Sequence, residues 1–150
     1  MAGILDLVAD LPRRRCEPSE VILEQGAPAS VLLVLIEGEV EVLRDEVRVA
    51  RSSEAGAVFG EMSVLMGGPC TATVRAIKPS TFAVVADPTA FLQGSAQASL
   101  HVAFLLARRL DALNRYLIDV KRQYEGHDHL QMVDDVLGTL MHRQPRPPGK

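Results

Sequence analysis

Long apolar runs, early histidines and an excess of positive charge are all missing from this chain of 150 residues, and each absence removes a class of function. The longest uninterrupted apolar run, Val31 to Ile36, falls far short of the roughly 20 residues that a membrane-spanning helix needs. No membrane partner is therefore expected. No histidine precedes His101, whereas a metal-dependent barrel enzyme carries its histidines on barrel strands. His127-Asp128-His129 has a spacing that suits a metal on a strand, but no third ligand stands nearby, so no metal site is expected. A net charge of −3 argues against a surface built to neutralise phosphate along a duplex. Gly67-Gly68 lacks the Lys-Ser or Lys-Thr of an ATP-binding loop, and no serine stands in a nucleophile elbow. No catalytic residue is singled out, and an enzyme is not expected.

Cysteine is scarce as well. Cys16 and Cys70 form no metal or redox spacing, and both read as thiols. The amino terminus places its positive run, Arg13-Arg14-Arg15, after a short apolar stretch, the reverse of a secretory signal's order. A cytoplasmic protein is the expectation. The arginine run has no interleaved aromatics and reads as a solvated segment.

What is present is the composition of one globular domain, 47% hydrophobic and 23% charged. From about residue 12 to 86, short strand-like segments alternate with turn residues, a spacing that suggests a barrel or jelly roll. In "EGEVEVL" the apolar Val40 and Val42 fall on one face, with Glu39 and Glu41 on a wet one. After Asp87-Pro88 the pattern becomes helical. A short helix spans Pro88 to Gln93 with Asp87 as N-cap, and a long one runs from about 96 to 124. On the long helix, Ala103, Leu106, Leu110, Leu113, Leu117, Val120 and Tyr124 keep a three-four spacing, while Val102, Leu105, Ala112 and Tyr116 form a second apolar set. One set can pack on the barrel and the other can make a homodimer seam. The expected organisation is a domain at 1–126, a short amphipathic helix at 127–142 and a disordered tail at 143–150, whose prolines and charges cannot build a core.

One stretch carries chemistry: "VFGEMSVLMGGPCTATVRA", residues 58–76. A glycine permits close backbone approach to a ligand, the residues after it can open a short helix whose N–H groups favour an anion, and Glu61 can accept from a pair of hydroxyls. Taken alone, the same residues also describe a tight turn with a solvated glutamate.

The wider pattern resembles the cyclic nucleotide-binding domain family, seen in bacterial catabolite activator proteins and in regulatory subunits of cyclic-AMP-dependent kinase. The resemblance covers roughly residues 10 to 125. It rests on "ILEQGAPASVLLVLIEGEVEV", on "FGEMSVLMGGPCTATVRA", similar to the family's phosphate-binding cassette, and on "LARRLDALNRYL", similar to its terminal helix. It implies a mainly β fold with α: an eight-stranded β jelly-roll barrel of cyclic nucleotide-binding type followed by a long C-terminal helix. It implies cyclic AMP or cyclic GMP as ligand and no separate cofactor. Gly60 and Glu61 match the cassette's Gly-Glu pair, whose glutamate takes the ribose hydroxyl, and the backbone N–H groups that follow, through Met62, face the phosphate. Ser63 matches a small position near the phosphate, Thr71 the position after the cassette arginine, and Leu113 and Asn114 the helix positions that touch the purine in some members.

Cys70 stands where the family's pattern has arginine. A neutral thiol cannot make the charge-assisted fork of a guanidinium on phosphate. Losing one side of such a pair costs on the order of 2 to 5 kcal/mol, about thirty- to several-thousand-fold in affinity. Arg75, five residues on, falls on the opposite face of a regular strand, although a bulge after Gly67-Gly68-Pro69 would shift the register. Two functions follow. The first is a regulatory module that binds a cyclic nucleotide through Gly60-Glu61. The second is an interaction scaffold that has lost nucleotide binding and contacts a partner protein through its helix and tail. The segment 125–150 has Pro145 where a second helix of a helix-turn-helix would need length, so no direct DNA binding is expected.

Overall fold

The computed structural model describes residues 3–28, 30–124 and 130–142. It divides into two compact units, Met1–Leu105 and Leu106–Lys150. Eight antiparallel strands among the described residues form two four-stranded sheets. In chain order they are β1 (Arg13–Cys16), β2 (Val21–Leu23), β3 (Leu32–Glu37), β4 (Val40–Arg44), β5 (Val47–Ser52), β6 (Val58–Phe59), β7 (Thr73–Ala76) and β8 (Ser80–Val85). One sheet runs β1-β8-β3-β6 and the other β2-β7-β4-β5, a jelly roll. Helices α1 (Ile4–Leu7), α2 (Glu61–Met66), α3 (Pro88–Gly94), α4 (Ala96–Gln123) and α5 (Leu130–His142) complete the chain.

The core forms between the sheets because the strands alternate. Leu33 and Leu35 from β3, Val40 from β4, Phe59 from β6, Val74 and Ala76 from β7 and Phe82 from β8 share one buried cluster with Cys16 and Cys70. Phe59 meets Phe82 edge to face at 6.2 Å, as ring quadrupoles prefer. The strand β3 is covered on both sides, since Leu32 and Val34 are also fully buried, and this explains the unbroken apolar run at 31–36.

The outer face of β4 is less wet than its alternation implies. Glu39 is 9% exposed and Glu41 is half-buried, because cations from two other strands and a loop lie over them. Arg51 pairs with Glu39, and Lys78 reaches it at 3.3 Å. Arg75 pairs with Glu41, and Arg48 approaches it at 3.5 Å. The hydrogen bond from Arg51 holds the Glu39 carboxyl below the usual carboxylate range.

Two arginines of the run Arg13-Arg14-Arg15 donate to backbone carbonyls outside β1. Arg13 donates to the carbonyls of Val8 at 2.9 Å, Ala9 at 3.2 Å and Leu11 at 3.3 Å, closing the end of α1, and Arg14 donates to Ile22 O at 3.3 Å.

Asp87 caps α3 by accepting from Ala90 N–H at 3.1 Å, and Pro88 occupies its first turn. At the start of α4, Ser95 Oγ accepts from Ala98 N–H at 3.1 Å. Within the first unit this helix buries Ala98, Val102 and Leu105. Of the second apolar set on the helix, then, Val102 and Leu105 are buried, while Ala103 and Leu110 of the first set are exposed. In the second unit Leu113 and Tyr124 are also exposed, and Leu106, Leu117 and Val120 are half-buried. An ion pair between Lys121 and Asp134 joins α4 to α5. The segment expected to be disordered, 143–150, and the pair His127 and His129 lie outside the described residues.

Candidate functional site

The cassette begins where β6 ends. Gly60 adopts φ +90, a left-handed conformation that L side chains rarely take, and a Cβ there would lie 2.7 Å from the carbonyl oxygen of Val31. Both facts demand glycine. The next residue, Glu61, opens α2 and is only 5% exposed. The fold therefore carries a carboxylate inside, at the first turn of a helix, where the N-terminal end of the peptide dipoles favours negative charge. Met62, next along the same turn, is exposed.

Ser63 is 5% exposed, and its hydroxyl donates to Gly68 O at 2.6 Å. Together with Gly67 N–H on Ser63 O at 2.9 Å, this bond closes the end of α2. A serine hydroxyl has one proton, so Ser63 can donate to a phosphate only by releasing Gly68.

Cys70 is fixed by its backbone. Its N–H donates to Ala27 O and its carbonyl accepts from Gly26 N–H, both at 2.9 Å, so the end of the cassette is pinned to the turn after β2. Its side chain, 6% exposed, belongs to the barrel's apolar cluster, and burial pushes the thiol's pKa up. Cys16 lies in the same cluster, where burial raises its pKa to about 11. Both stay protonated at neutral pH, and neither is placed to act as a nucleophile. Thr71 follows Cys70 and is half-buried.

The guanidinium of Arg75 does not share the face of Cys70. Along β7, Val74 and Ala76 are buried while Thr73 and Arg75 are half-exposed, and Arg75 Nε donates to Glu41 Oε1 at 2.8 Å on the outer side of the sheet. Asn114 lies on α4 in the second unit, and its Oδ1 is buried without a hydrogen-bond partner. The structure thus brings Gly60, Glu61, Met62 and Ser63 together on one turn, with Cys70 and Thr71 at the end of the same loop.

Two features had no signal in the sequence. A cavity of about 550 Å³ lies beside the β4–β5 turn, lined by Gln25, Gly26, Leu43, Asp45, Thr73 and Arg75 among others. Its polar lining is tied internally: Gln25 Nε2 donates to Asp45 at 2.9 Å, Asp45 N–H returns to Gln25 Oε1 at 2.8 Å, and Gln25 N–H donates to Thr73 at 3.0 Å. The second feature is His101 of α4, whose Nε2 lies 2.8 Å from Gly56 O just before β6. Among the described residues, no group of three or more His, Cys, Asp or Glu can hold a metal ion, and no single helix is long and apolar enough to cross a membrane.

A jelly roll with a glycine-glutamate helical turn between β6 and β7 and a long helix after the barrel defines a class of regulatory domain. The family model for the cyclic nucleotide-binding domain matches residues 13–94, more than half of the chain, and the protein belongs to that family. It is 33% identical over 73 residues to a cAMP-dependent protein kinase regulatory subunit of Yarrowia lipolytica, a match covering 49% of this chain and 19% of that protein. It is also 33% identical over 76 residues to the acetyltransferase Pat of Mycolicibacterium smegmatis, covering 49% of this chain and 23% of that one. The aligned region thus amounts to about a fifth of the length of these curated relatives. Among solved structures, the Thermus thermophilus catabolite activator protein superposes with a TM-score of 0.60 at 24% identity, over 91% of this chain and 79% of that one. The family is regulatory and generally without catalytic activity of its own, although Pat shows such a domain in an enzyme.

Proposed function

We propose that this protein is a non-enzymatic regulatory module whose barrel receives a cyclic nucleotide, cyclic AMP or cyclic GMP, with weak affinity. The observation that carries this reading is the Gly60-Glu61 turn. Its left-handed glycine is packed against Val31 O, and its glutamate is kept buried. The acid lies inside, in the first turn of a helix and directly after the left-handed glycine, and a ligand with hydroxyls beside an anion is the role this position supports best. Glu61 takes the ribose hydroxyl, the backbone of Glu61 to Ser63 faces the phosphate, and Thr71 assists. The weakness comes from the neutral thiol of Cys70 and from the commitment of Arg75 to Glu41. The protein acts in the cytoplasm as a homodimer through α4, whose exposed Leu110 and Leu113 support that interface.

A second reading has its own support. Cys70 is built into the apolar core as an ordinary packing residue, as suits a barrel that has given up its nucleotide and works as a scaffold for a partner protein. Calorimetric titration with cyclic AMP and cyclic GMP separates the two. On the first reading the wild type binds in the high micromolar to millimolar range, Glu61→Ala removes binding, and Cys70→Arg tightens it by about thirtyfold or more. No heat from the wild type, with binding restored in Cys70→Arg, means a pocket disabled at one residue and leaves the scaffold. No heat from either chain ends the nucleotide reading.

A further inference from the structure

The segment that delivers the chain to the cassette is held from three sides at Gly56. This residue is buried with φ +94, and a Cβ added to it would stand 3.1 Å from Ile4 Cγ2 of α1. Its N–H donates to Leu35 O at 2.8 Å, and Leu35 N–H returns to Ala57 O at 2.8 Å, which locks the segment onto β3. The third hold comes from α4, where His101 Nε2 lies 2.8 Å from Gly56 O. A carbonyl oxygen only accepts, so Nε2 carries the proton. Immediately after Ala57 come β6, Gly60 and Glu61.

Ala98, Val102 and Leu105 bury the first part of α4 by apolar contact, which is non-directional and tolerates small slides and rotations. The bond from His101 is directional and does not tolerate them. We propose that His101 is a positioning residue that couples the first turns of α4, residues 96–105, to the cassette by fixing Gly56. When those turns shift, His101 either releases Gly56 or carries it along, and the Gly60-Glu61 turn follows because β6 is only Val58 and Phe59. This coupling stands independently of the nucleotide reading, since it is a property of the chain with nothing bound.

The test is amide hydrogen exchange on the full chain with His101→Phe, which keeps the ring and loses the donor, and His101→Gln, whose amide can reach the same carbonyl. Loss of one such bond should speed exchange by about fivefold at residues 56–64, with β4, β5 and β7 unchanged, and His101→Gln should bring it back. Unchanged exchange in His101→Phe overturns the proposal, as does acceleration spread evenly over the barrel or failure of His101→Gln to restore protection. The unmodified protein gives an arm that does not depend on a variant folding. Nitrogen-15 NMR should find neutral His101 as the Nε2–H tautomer, and the Nδ1–H tautomer overturns the coupling.

Discussion

Cys70 and Gly60 show how single residues decide this site in opposite directions. Gly60 is required by geometry, because its φ and the approach of Val31 O leave no room for a side chain. Gly60→Ala should therefore destabilise the chain by about 1–3 kcal/mol, read as a lower midpoint in urea unfolding; an unchanged midpoint would mean that the turn is not built this way. Cys70 is the residue whose chemistry departs from the family's pattern. Its identity was plain in the sequence, and so was the loss of a guanidinium. What the sequence did not say is which residues share its buried cluster, Ile22, Leu23 and Leu33 among them. Ser63 matches a small position near the phosphate, and in the fold its hydroxyl is engaged with Gly68 O.

At the level of elements, the β4–β5 hairpin is the clearest case of local strain. Asp45 and Glu46 have φ +52 and +66, so both central residues of a two-residue turn are left-handed. That geometry matches the twist of the flanking strands but suits Asn-Gly or Asp-Gly far better than Asp-Glu. Glu46→Gly should stabilise the chain by up to about 1 kcal/mol, visible as a higher thermal midpoint, and a lower midpoint would show that Glu46 contributes a contact worth more than the strain. The alternation in "EGEVEVL" correctly placed Val40 and Val42 toward the core. It could not reveal that Arg48, Arg51, Arg75 and Lys78 gather over Glu39 and Glu41, because these cations come from β5, from β7 and from the segment just after β7. The helix α4 follows the same rule: its length was legible from its period and caps, while the choice of Ala98, Val102 and Leu105 as the buried face was not.

For the whole molecule, the exposed apolar residues of α4 concern assembly. A helix presenting Leu110 at 40%, Leu113 at 46% and Tyr116 at 64% exposure has a surface that a second copy can cover. In light scattering after gel filtration, the wild type should elute at twice the chain mass and Leu110→Glu/Leu113→Glu at the mass of one chain. A wild-type monomer at high micromolar concentration would remove the dimer from the proposed function and leave the nucleotide site to stand alone.

The sequence by itself determined the succession of strands and helices, because alternation, turn glycines and helix caps are local properties of the chain, and its likeness to the cyclic nucleotide-binding domain gave the family. Only the tertiary structure decided which charges neutralise one another, that Cys70 points into the apolar core while Arg75 is held by Glu41, and that His101 reaches Gly56. Those outcomes depend on residues far apart in sequence, joined by sheet register and helix packing, and no local pattern encodes which of several matching partners will meet.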